Sequence, residues 1–300
     1  FVRLVPVVAG FHAIDGSASC YFDLARELAR EGIGTYGIHA LDLGQKKGMP
    51  TTLAAIAAEY ADQLIRVKPS GPSFLVGWCS GALIAFEITH ELLRRGREVR
   101  QLILLDPTLA RFDSEGRALF EVQEPSRSVP PTGLPSRPRD ADGQQWWKFL
   151  TLISAAVAEG DEYPLDSTFW NMDDNAKSEY LFANRRNARL INLSCMLNQA
   201  SSSADVLYIF HVVRNQAIAL AHYRPACLQR SVSLFVSADE FSYTQAQIES
   251  RAAARESMWR KLSTGLDINT RVPGGHVALV GRPCVELVAQ HIAASIWPLL

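Results

Sequence analysis

The chain alternates between two hydrophobic periods, and this alternation constrains its fold more than any other feature. Short apolar runs such as Leu4–Ala9 and Phe74–Trp78 have the length and composition of strands. Longer stretches with apolar residues at helical spacing lie between them, for example Thr51–Val67 and Gly81–Arg95. Short strands that alternate with helices of this length predict an α/β fold, a mostly parallel sheet with helices on both faces.

The alternation stops after the predicted strand Gln101–Leu105. Residues 111–145 contain the proline-rich run VPPTGLPSRPRDADG, which cannot form one regular element, and residues 146–222 are typical of several successive helices. Strand character returns at Ser231–Ser237. We therefore expect one domain over residues 1–300, with an α/β core of residues 1–110 and 231–300. Residues 111–230 form a helical insertion, which is too long to be a simple connection.

The composition indicates which classes of partner and which cellular compartment to expect. The 300 residues include 30 basic and 31 acidic side chains, so no global field attracts nucleic acid or an anionic membrane. Charged residues interrupt every apolar run before it reaches the length of a membrane span. The five scattered cysteines lack the spacing of metal ligands, which favours reduced thiols in the cytoplasm and no bound metal. The first residues, FVRLVPVV, lack an initiator Met and suggest a piece of a longer protein.

The sequence Gly77-Trp78-Cys79-Ser80-Gly81 has the form of a nucleophile elbow, G-x-S-x-G, with cysteine in the central place. It lies where a predicted strand ends and a predicted helix begins, and its glycines allow the two elements to approach closely. The helix N-terminus favours a thiolate. These features predict that Cys79 is a nucleophile rather than a structural thiol. The side chain of Ser80, one place past the apex, should point elsewhere.

A cysteine nucleophile requires a base and an acid that orients it. His276 follows a predicted strand in Val272-Pro273-Gly274-Gly275-His276, where a loop can direct its imidazole across the edge of the sheet. Asp106 ends the strand after the elbow helix, and Asp239 follows the strand SVSLFVS. Both aspartates are expected at the C-terminal edge of the sheet, where such folds place their chemistry, and these residues alone leave the choice open.

An oxyanion hole at this elbow needs two backbone N–H groups close to the sulfur. One should be the amide of Ser80, immediately after the nucleophile. The other should come from the loop after the first strand, FHAIDGSA, where we predict the amide of Ile14.

With these motifs in place, the chain resembles the type I thioesterase domains that terminate nonribosomal peptide synthetases, and less closely those of polyketide synthases. The similarity is carried by FHAIDGSASCYFDLAREL near the start, by the elbow region of residues 56–107, by NQAIALAHYRP and by MWRKLSTGLDINTRVPGGHVALV. It extends over nearly the whole chain outside the proline-rich and aromatic region. A lone G-x-C-x-G would be less specific, because proteins similar to dienelactone hydrolase also contain one.

The resemblance implies an α/β-hydrolase fold in which the insertion forms a lid. It also implies that an upstream peptidyl carrier protein delivers a peptidyl thioester on its phosphopantetheine arm, and that the domain binds no cofactor of its own. By position, the nucleophile, the acid and the histidine of the family fall on Cys79, Asp106 and His276. Asp106 is thereby favoured over Asp239.

Two departures from the family pattern affect this interpretation. The usual glycine-rich loop after the first strand contains Ile14-Asp15 here, and cysteine replaces the usual serine. An acyl group on Cys79 remains a thioester and keeps its activation, which favours a difficult ring closure. The resemblance implies the same, because cysteine variants of the family are associated with synthetases that make β-lactams or β-lactones. Plain hydrolysis, macrocyclisation, an engineered Ser→Cys change and a non-catalytic acyl-binding domain remain as alternatives.

The predicted insertion contains three tryptophans, Trp146, Trp147 and Trp170. They would either line an acyl chamber or form the core of the insertion. Their place among successive helical segments favours the core.

Overall fold

Six parallel strands form the central sheet of the computed structural model. The structure describes residues 6–40, 50–107, 110–112, 118–120, 145–146, 149, 167–185, 200–238 and 244–300. In chain order the strands are β1 (Val7–Phe11), β2 (Gly34–Ile38), β3 (Ser73–Trp78), β4 (Val99–Leu105), β5 (Ala110–Phe112), β6 (Ala118–Phe120), β7 (Leu228–Ser237) and β8 (Ser263–Val272). The sheet has the spatial order β2-β1-β3-β4-β7-β8, and β5 pairs with β6 in a separate antiparallel hairpin.

The helices are α1 (Phe22–Arg30), α2 (Leu53–Val67), α3 (Gly81–Arg94), α4 (Ser167–Trp170), α5 (Asp174–Ala183), α6 (Ser203–Ala221), α7 (Gln245–Leu262) and α8 (Val285–Ile296). Helix α1 packs against α8, and α2 packs against α3. The predicted α/β class, a mostly parallel sheet flanked by helices, is confirmed. Within the part of the chain that the structure describes, no helix combines the length and apolarity needed to cross a membrane.

Local sequence signals set several helix starts. The Thr52 side chain accepts a hydrogen bond from the backbone N–H of Ala55, so Thr52 is the N-cap of α2. Helix α7 begins with a capping box, in which Thr244 and Gln247 each bind the backbone of the other. Such caps satisfy backbone donors that the first turn of a helix leaves unpaired.

Several strand boundaries differ from the sequence prediction, and those of β1 and β8 show why. Strand β1 covers Val7–Phe11 and so extends past the predicted end at Ala9, because Gly10 and Phe11 continue the parallel pairing with β2 and β3. The first two residues of the predicted run, Leu4 and Val5, lie outside the described residues. The strand predicted before His276, Asp267–Val272, begins earlier, at Ser263, and is β8. Its first residues, Ser263, Thr264 and Gly265, are not apolar, so no hydrophobic run marks this start in the sequence.

The middle strands β3 and β4 form the centre of the core. Leu75, Val76 and Leu104 are completely buried. Burial on both faces explains why these strands appear in the sequence as continuous apolar runs. Each fully buried side chain of this size stabilises the fold by about 1.5–3 kcal/mol, so the central strands provide a rigid support for the loops at their ends.

The strand order places a topological switch point between β1 and β3. From β1 the chain passes to β2 on one side, whereas from β3 it passes to β4 on the other side. The loops that leave the carboxyl ends of β1 and β3 therefore diverge and leave a crevice between them. The loop after β1 contains Ile14, and the turn after β3 contains Cys79.

Contacts divide the chain into two compact units. The first comprises Phe1–Leu41, Pro50–Glu121 and Ile218–Leu300, and the second comprises Asp42–Met49 and Val122–Ala217. The first unit thus includes residues 111–121 and 218–230, which the sequence analysis placed in the insertion.

Aromatic side chains form the core of the second unit. Trp146 is completely buried and stacks on Phe210 with ring centroids 3.8 Å apart. Phe149 and Phe169 meet the Trp146 ring edge-on, and the indole N–H donates to Asp174 at 2.6 Å. Trp146 is therefore a core residue of this unit. Trp170 is partly buried, and Trp147 lies outside the described residues.

Candidate active site

Cys79 occupies the apex of a strained turn between β3 and α3. Its φ angle is +58°, in the left-handed region that non-glycine residues rarely adopt. The Cys79 amide donates to the carbonyl of Leu105 on β4 at 3.1 Å, which ties the apex to the neighbouring strand. Cys79 is partly exposed, so the sulfur is not sealed inside the core.

The two glycines of the motif are required by close backbone approaches. A Cβ atom on Gly77 would lie 2.3 Å from the carbonyl oxygen of Gly81. A Cβ atom on Gly81 would lie 2.5 Å from the carbonyl oxygen of Phe11 and 2.6 Å from that of His12. Strand β3, the first turn of α3 and the end of β1 thus meet with no space for side chains, which is the geometry that the motif predicted.

His276 and Asp106 lie in direct contact, although 170 residues separate them in the chain. The Nδ1 atom of His276 is 2.6 Å from Oδ2 of Asp106. Asp106 is buried, has a φ angle of +42°, and accepts further hydrogen bonds from the Ser237 amide at 3.2 Å and hydroxyl at 3.0 Å. These donors fix the carboxylate and leave Nε2 of His276 for the sulfur.

The charges of Cys79 and His276 stabilise each other. Burial opposes ionisation of Cys79, but the positive charge and hydrogen bond of His276 lower its pKa below the usual 9.0. Burial also disfavours a charged His276, but the Cys79 thiolate and the Asp106 carboxylate together raise the pKa of His276 to about 10. Because the pKa of His276 lies above that of Cys79, this arrangement favours a thiolate–imidazolium pair over a neutral thiol and a neutral imidazole.

Asp106 remains ionised although it is buried. Burial alone would raise its pKa, but hydrogen bonding and charge from His276, followed by the charge of Arg255, lower the pKa to about 2. Arg255 on α7 is itself buried. Its Nη1 lies 3.5 Å from Oδ1 of Asp106, and its Nε donates to the carbonyl of Pro107 at 3.3 Å. This guanidinium therefore compensates the buried negative charge.

Trp78, the residue before the sulfur, holds the loop that carries His276. The two rings stack with centroids 4.6 Å apart and planes inclined by 26°. The indole N–H of Trp78 also donates to the backbone carbonyl of His276 at 3.0 Å. Stacking on an aromatic face favours a protonated imidazole, so Trp78 both positions the ring and supports its charge.

Tyr21 bridges the ends of β1 and β3 beneath the elbow. Its hydroxyl donates to the carbonyl of Phe11 at 2.8 Å and accepts from the amide of Trp78 at 2.7 Å. The side chain is buried, and burial above all raises its pKa well beyond the usual value, so the hydroxyl stays protonated. The ring lies over Gly10, where a Cβ atom would be 3.1 Å away. Tyr21 thus satisfies two backbone groups where the strands separate.

Three other residues were predicted to belong to this site: Ser80, Ile14 and Asp239. The backbone amide of Ser80 hydrogen-bonds to the sulfur of Cys79. The hydroxyl of Ser80 is buried and has no hydrogen-bond partner in the part of the chain that the structure describes. Ile14 lies in the loop after β1, and the role of its amide remains a prediction. Asp239, the alternative acid, lies outside the described residues.

Sequence reasoning missed several residues that contact either these side chains or the backbone of the elbow: His12, Tyr21, Trp78, Ser237 and Arg255. Two of them had a usable signal, because Trp78 is inside the elbow motif and His12 directly follows the first strand. For the others, proximity depends on residues far apart in the chain. Among the residues described, no group of three His, Cys, Asp or Glu side chains is arranged to hold a metal ion.

Comparisons with known proteins agree with this geometry. Residues 6–122 match the family described as thioesterase domain. Over 101 residues, 34% of this chain, the sequence is 34% identical to the dimodular nonribosomal peptide synthase of Bacillus subtilis (strain 168). The chain spans only about 4% of the length of that relative.

Solved structures extend the likeness of fold to nearly the whole chain. The four-domain nonribosomal peptide synthetase holo-AB3403, bound to AMP and glycine, aligns with a TM-score of 0.65 and 18% identity over 98% of this chain and 20% of its own. The NocB thioesterase domain, in covalent complex with a fluorophosphonate nocardicin G analog, aligns with a TM-score of 0.54 and 19% identity over 97% of this chain and 94% of its own. By sequence over residues 6–122 the chain matches the thioesterase-domain family, and by fold over nearly its whole length it is similar to the thioesterase domains of nonribosomal peptide synthetases.

Proposed function

We propose that this domain releases a peptidyl chain from a carrier protein through an acyl-enzyme on Cys79. The observation that carries the proposal is a thiol at the apex of a strained elbow, together with an imidazole whose Nδ1 lies 2.6 Å from a buried carboxylate and whose charge lowers the pKa of that thiol. In this proposal Cys79 is the nucleophile, His276 is the acid and base, and Asp106 orients His276.

In the first half-reaction the Cys79 thiolate attacks the thioester carbonyl of the bound peptide. The resulting tetrahedral oxyanion is held by the amides of Ser80 and Ile14, which are the proposed oxyanion donors. The intermediate then expels the phosphopantetheine thiol, which takes its proton from the His276 imidazolium. The acyl group is now a thioester on Cys79, and His276 is neutral.

In the second half-reaction neutral His276 removes a proton from the incoming nucleophile. That nucleophile attacks the Cys79 thioester, and the Cys79 thiolate leaves while His276 keeps the proton. The starting thiolate–imidazolium pair is restored. Because the acyl group never passes through a more stable oxoester, the second step begins from an activated acyl donor.

This retained activation supports intramolecular cyclisation as the release reaction. A small strained ring, such as a β-lactam or a β-lactone, needs an activated acyl group because its closure stores strain. Hydrolysis or macrocyclisation can follow from the same acyl-enzyme, with water or a more distant nucleophile in place of the nearby one. The covalent complex of the NocB thioesterase domain with a fluorophosphonate supports a covalent nucleophile in a similar fold.

The implied partner is an upstream peptidyl carrier protein domain in the same synthetase. It would deliver the peptidyl thioester on its phosphopantetheine, so that the thioesterase domain itself needs no cofactor. The similarity to a dimodular nonribosomal peptide synthase and to a four-domain synthetase supports this assignment. Nucleic acid and membranes are not proposed as partners, since the charges nearly cancel over the chain.

The test is acylation of the domain by an N-acetylcysteamine peptidyl thioester that carries an internal amine or hydroxyl. Intact-mass analysis should detect one acyl group, mapped to Cys79, followed by release of a ring product. Cys79→Ala should abolish acylation. Cys79→Ser should acylate much more slowly, because a serine hydroxyl is not ionised before attack.

Cys227→Ala, which removes an exposed thiol far from this motif in the sequence, serves as the control and should behave as wild type. Release of linear acid alone, across several tether lengths, would replace cyclisation with hydrolysis. A wild-type protein that binds the thioester without becoming acylated would instead be a non-catalytic acyl-binding domain.

A further inference from the structure

His12 is a buried histidine beside the elbow that the proposed mechanism does not use. It directly follows β1 and is only 1% exposed. Its Nδ1 atom lies 2.8 Å from the carbonyl oxygen of Ala13, and its Nε2 atom lies 2.5 Å from the hydroxyl oxygen of Tyr60 on α2. The two rings also meet edge-on, with centroids 5.5 Å apart. Both ring nitrogens of His12 are therefore engaged.

These contacts define the protonation state of the His12 ring. A carbonyl oxygen can only accept a hydrogen bond, so Nδ1 of His12 must carry the proton and donate to Ala13. In the neutral ring, Nε2 then accepts from the Tyr60 hydroxyl. Burial lowers the pKa of His12 to about 4, which keeps the ring in this neutral form around neutral pH.

The Ala13 carbonyl belongs to the same peptide group as the Ile14 amide. The cis peptide bond found in the described chain is Arg282–Pro283, so the bond between Ala13 and Ile14 is trans. In a trans peptide the C=O and N–H bonds point in opposite directions, and fixing one of them fixes the other. The Ala13 oxygen also accepts from the amide of Gly16 at 3.0 Å. Two donors thus hold and polarise this peptide group.

The same segment lies against the elbow. The carbonyl oxygen of His12 is so near the Cα of Gly81 that an added Cβ atom would lie 2.6 Å from it. The amide of Ser80, one residue earlier, contacts the sulfur of Cys79. The His12 backbone and the start of α3 are therefore in van der Waals contact, at the switch point between β1 and β3.

We infer that His12, held by Tyr60, is a positioning residue for the oxyanion hole: its Nδ1–H fixes the Ala13–Ile14 peptide so that the Ile14 amide is directed towards the reacting carbonyl. This inference rests on the proposed function, because it assigns a role in the acyl transfer at Cys79. His12 itself touches neither the sulfur nor the substrate in this scheme. It acts only by fixing the orientation of the Ala13–Ile14 peptide group.

Two reactions of the Cys79 thiolate differ in whether they need the oxyanion hole. Acylation by a thioester forms a tetrahedral oxyanion and depends on the oxyanion donors. Alkylation by iodoacetamide attacks a saturated carbon, forms no oxyanion, and depends on the thiolate and its access. A defect in the Ala13–Ile14 peptide should therefore slow acylation and leave alkylation unchanged.

A matched pair of substitutions tests this separation. His12→Gln keeps an amide within reach of Tyr60 but loses the donor at the Nδ1 position. His12→Asn keeps a donor at the Nδ1 position and loses the contact with Tyr60. We expect His12→Gln to slow acylation by an N-acetylcysteamine peptidyl thioester at least about tenfold, approaching the roughly 10²–10³-fold effect of removing one oxyanion donor. His12→Asn should recover most of this loss, and iodoacetamide should alkylate Cys79 at the wild-type rate in both variants.

Three results would overturn the inference: a wild-type acylation rate in His12→Gln, an equal fall in acylation and alkylation, or no recovery in His12→Asn. If neither His12 variant folds, as judged by circular dichroism, Tyr60→Phe provides the test. It keeps the His12 ring and removes only the hydroxyl, and acylation should fall several-fold while alkylation stays constant. Unchanged acylation in Tyr60→Phe would also overturn the inference. Failure of the proposed function looks different, since wild type itself would then not be acylated.

Discussion

At the scale of single residues, Cys79 combines a strained backbone with a stabilised charge. Its φ angle of +58° costs on the order of 1–3 kcal/mol, a cost that the surrounding structure must offset. The hydrogen bond to Leu105 holds the backbone, and His276 stabilises the thiolate. Trp78 and Asp106 in turn hold His276 from two sides. The backbone and the charge of Cys79 thus depend on contacts with residues that are distant from it in the chain.

The pH dependence of Cys79 alkylation follows from these contacts. The rate of reaction with iodoacetamide should titrate with a midpoint below the usual thiol pKa of 9.0, because His276 lowers the pKa of Cys79. With its own pKa raised to about 10, His276 stays protonated as the pH falls, so the thiolate persists until it takes a proton itself. His276→Ala removes this charge while burial continues to oppose ionisation, so the midpoint should rise.

Peptide-resolved mass spectrometry at a series of pH values measures this midpoint for Cys79 alone. Cys227, which is exposed, provides the internal control, and the extent of its alkylation should be the same in wild type and His276→Ala. Identical Cys79 midpoints in the two proteins would contradict the ion pair.

At the scale of elements, the site depends on how closely three backbones approach at one edge of the sheet. The end of β1, the end of β3 and the first turn of α3 meet around Gly77 and Gly81. Tyr21 fills the point where β1 and β3 separate and pairs a carbonyl of one strand with an amide of the other. A buried backbone group without a partner costs about 1–3 kcal/mol, so this hydroxyl stabilises the elbow as well as shaping it.

Gly81→Ala should damage both the fold and the reaction. The new methyl group would lie 2.5 Å from the carbonyl oxygen of Phe11, and neither backbone can move without displacing β1 or α3. We expect a loss of about 1–3 kcal/mol in the free energy of unfolding, measured by chemical denaturation, together with a fall in acylation.

Gly265→Ala is the matched control, because a Cβ atom on Gly265 in β8 has no neighbour within 4 Å. It should change the free energy of unfolding by less than about 0.5 kcal/mol. If Gly81→Ala proved as mild as this control, the close approach at the elbow would not be essential.

At the scale of the whole molecule, each of the two compact units has its own core. The first is built on the parallel sheet, with buried aliphatic side chains on its central strands. The second is built on stacked and edge-on aromatic rings around Trp146. The proposed reactive groups Cys79, Asp106 and His276 all belong to the first unit. Stability of the second unit can therefore be tested separately from the state of the sulfur.

Trp146→Ala should loosen the second unit. Truncating a fully buried tryptophan costs about 3–5 kcal/mol, and here it also removes the partners of Phe210 and Asp174. Hydrogen exchange, read by mass spectrometry, should accelerate in the amides of α5. Trp170→Ala, which truncates a partly buried ring, should have a smaller effect. Equal protection of α5 in wild type and Trp146→Ala would show that this aromatic cluster does not hold the unit together.

The sequence alone determined the class of fold and the elbow. Hydrophobic period is a local property, so the strands and helices around Cys79 could be predicted from residues close together in the chain. The glycines at positions 77 and 81 also have a local cause, the tight turn from strand to helix. The boundaries of β1 and β8 were less accurate, because Gly10 and the polar start of β8 interrupt the apolar pattern.

Only the tertiary structure showed what surrounds the sulfur. Asp106 meets His276 across 170 residues, and His12 meets Tyr60 across 48. Arg255 reaches Asp106 from a helix whose sequence carries no motif. Such contacts arise because the sheet brings the carboxyl ends of its strands to one edge. They cannot be predicted from the spacing of residues along the chain. Local pattern thus predicted Cys79 as the nucleophile, whereas packing decided which groups surround this side chain and set its charge.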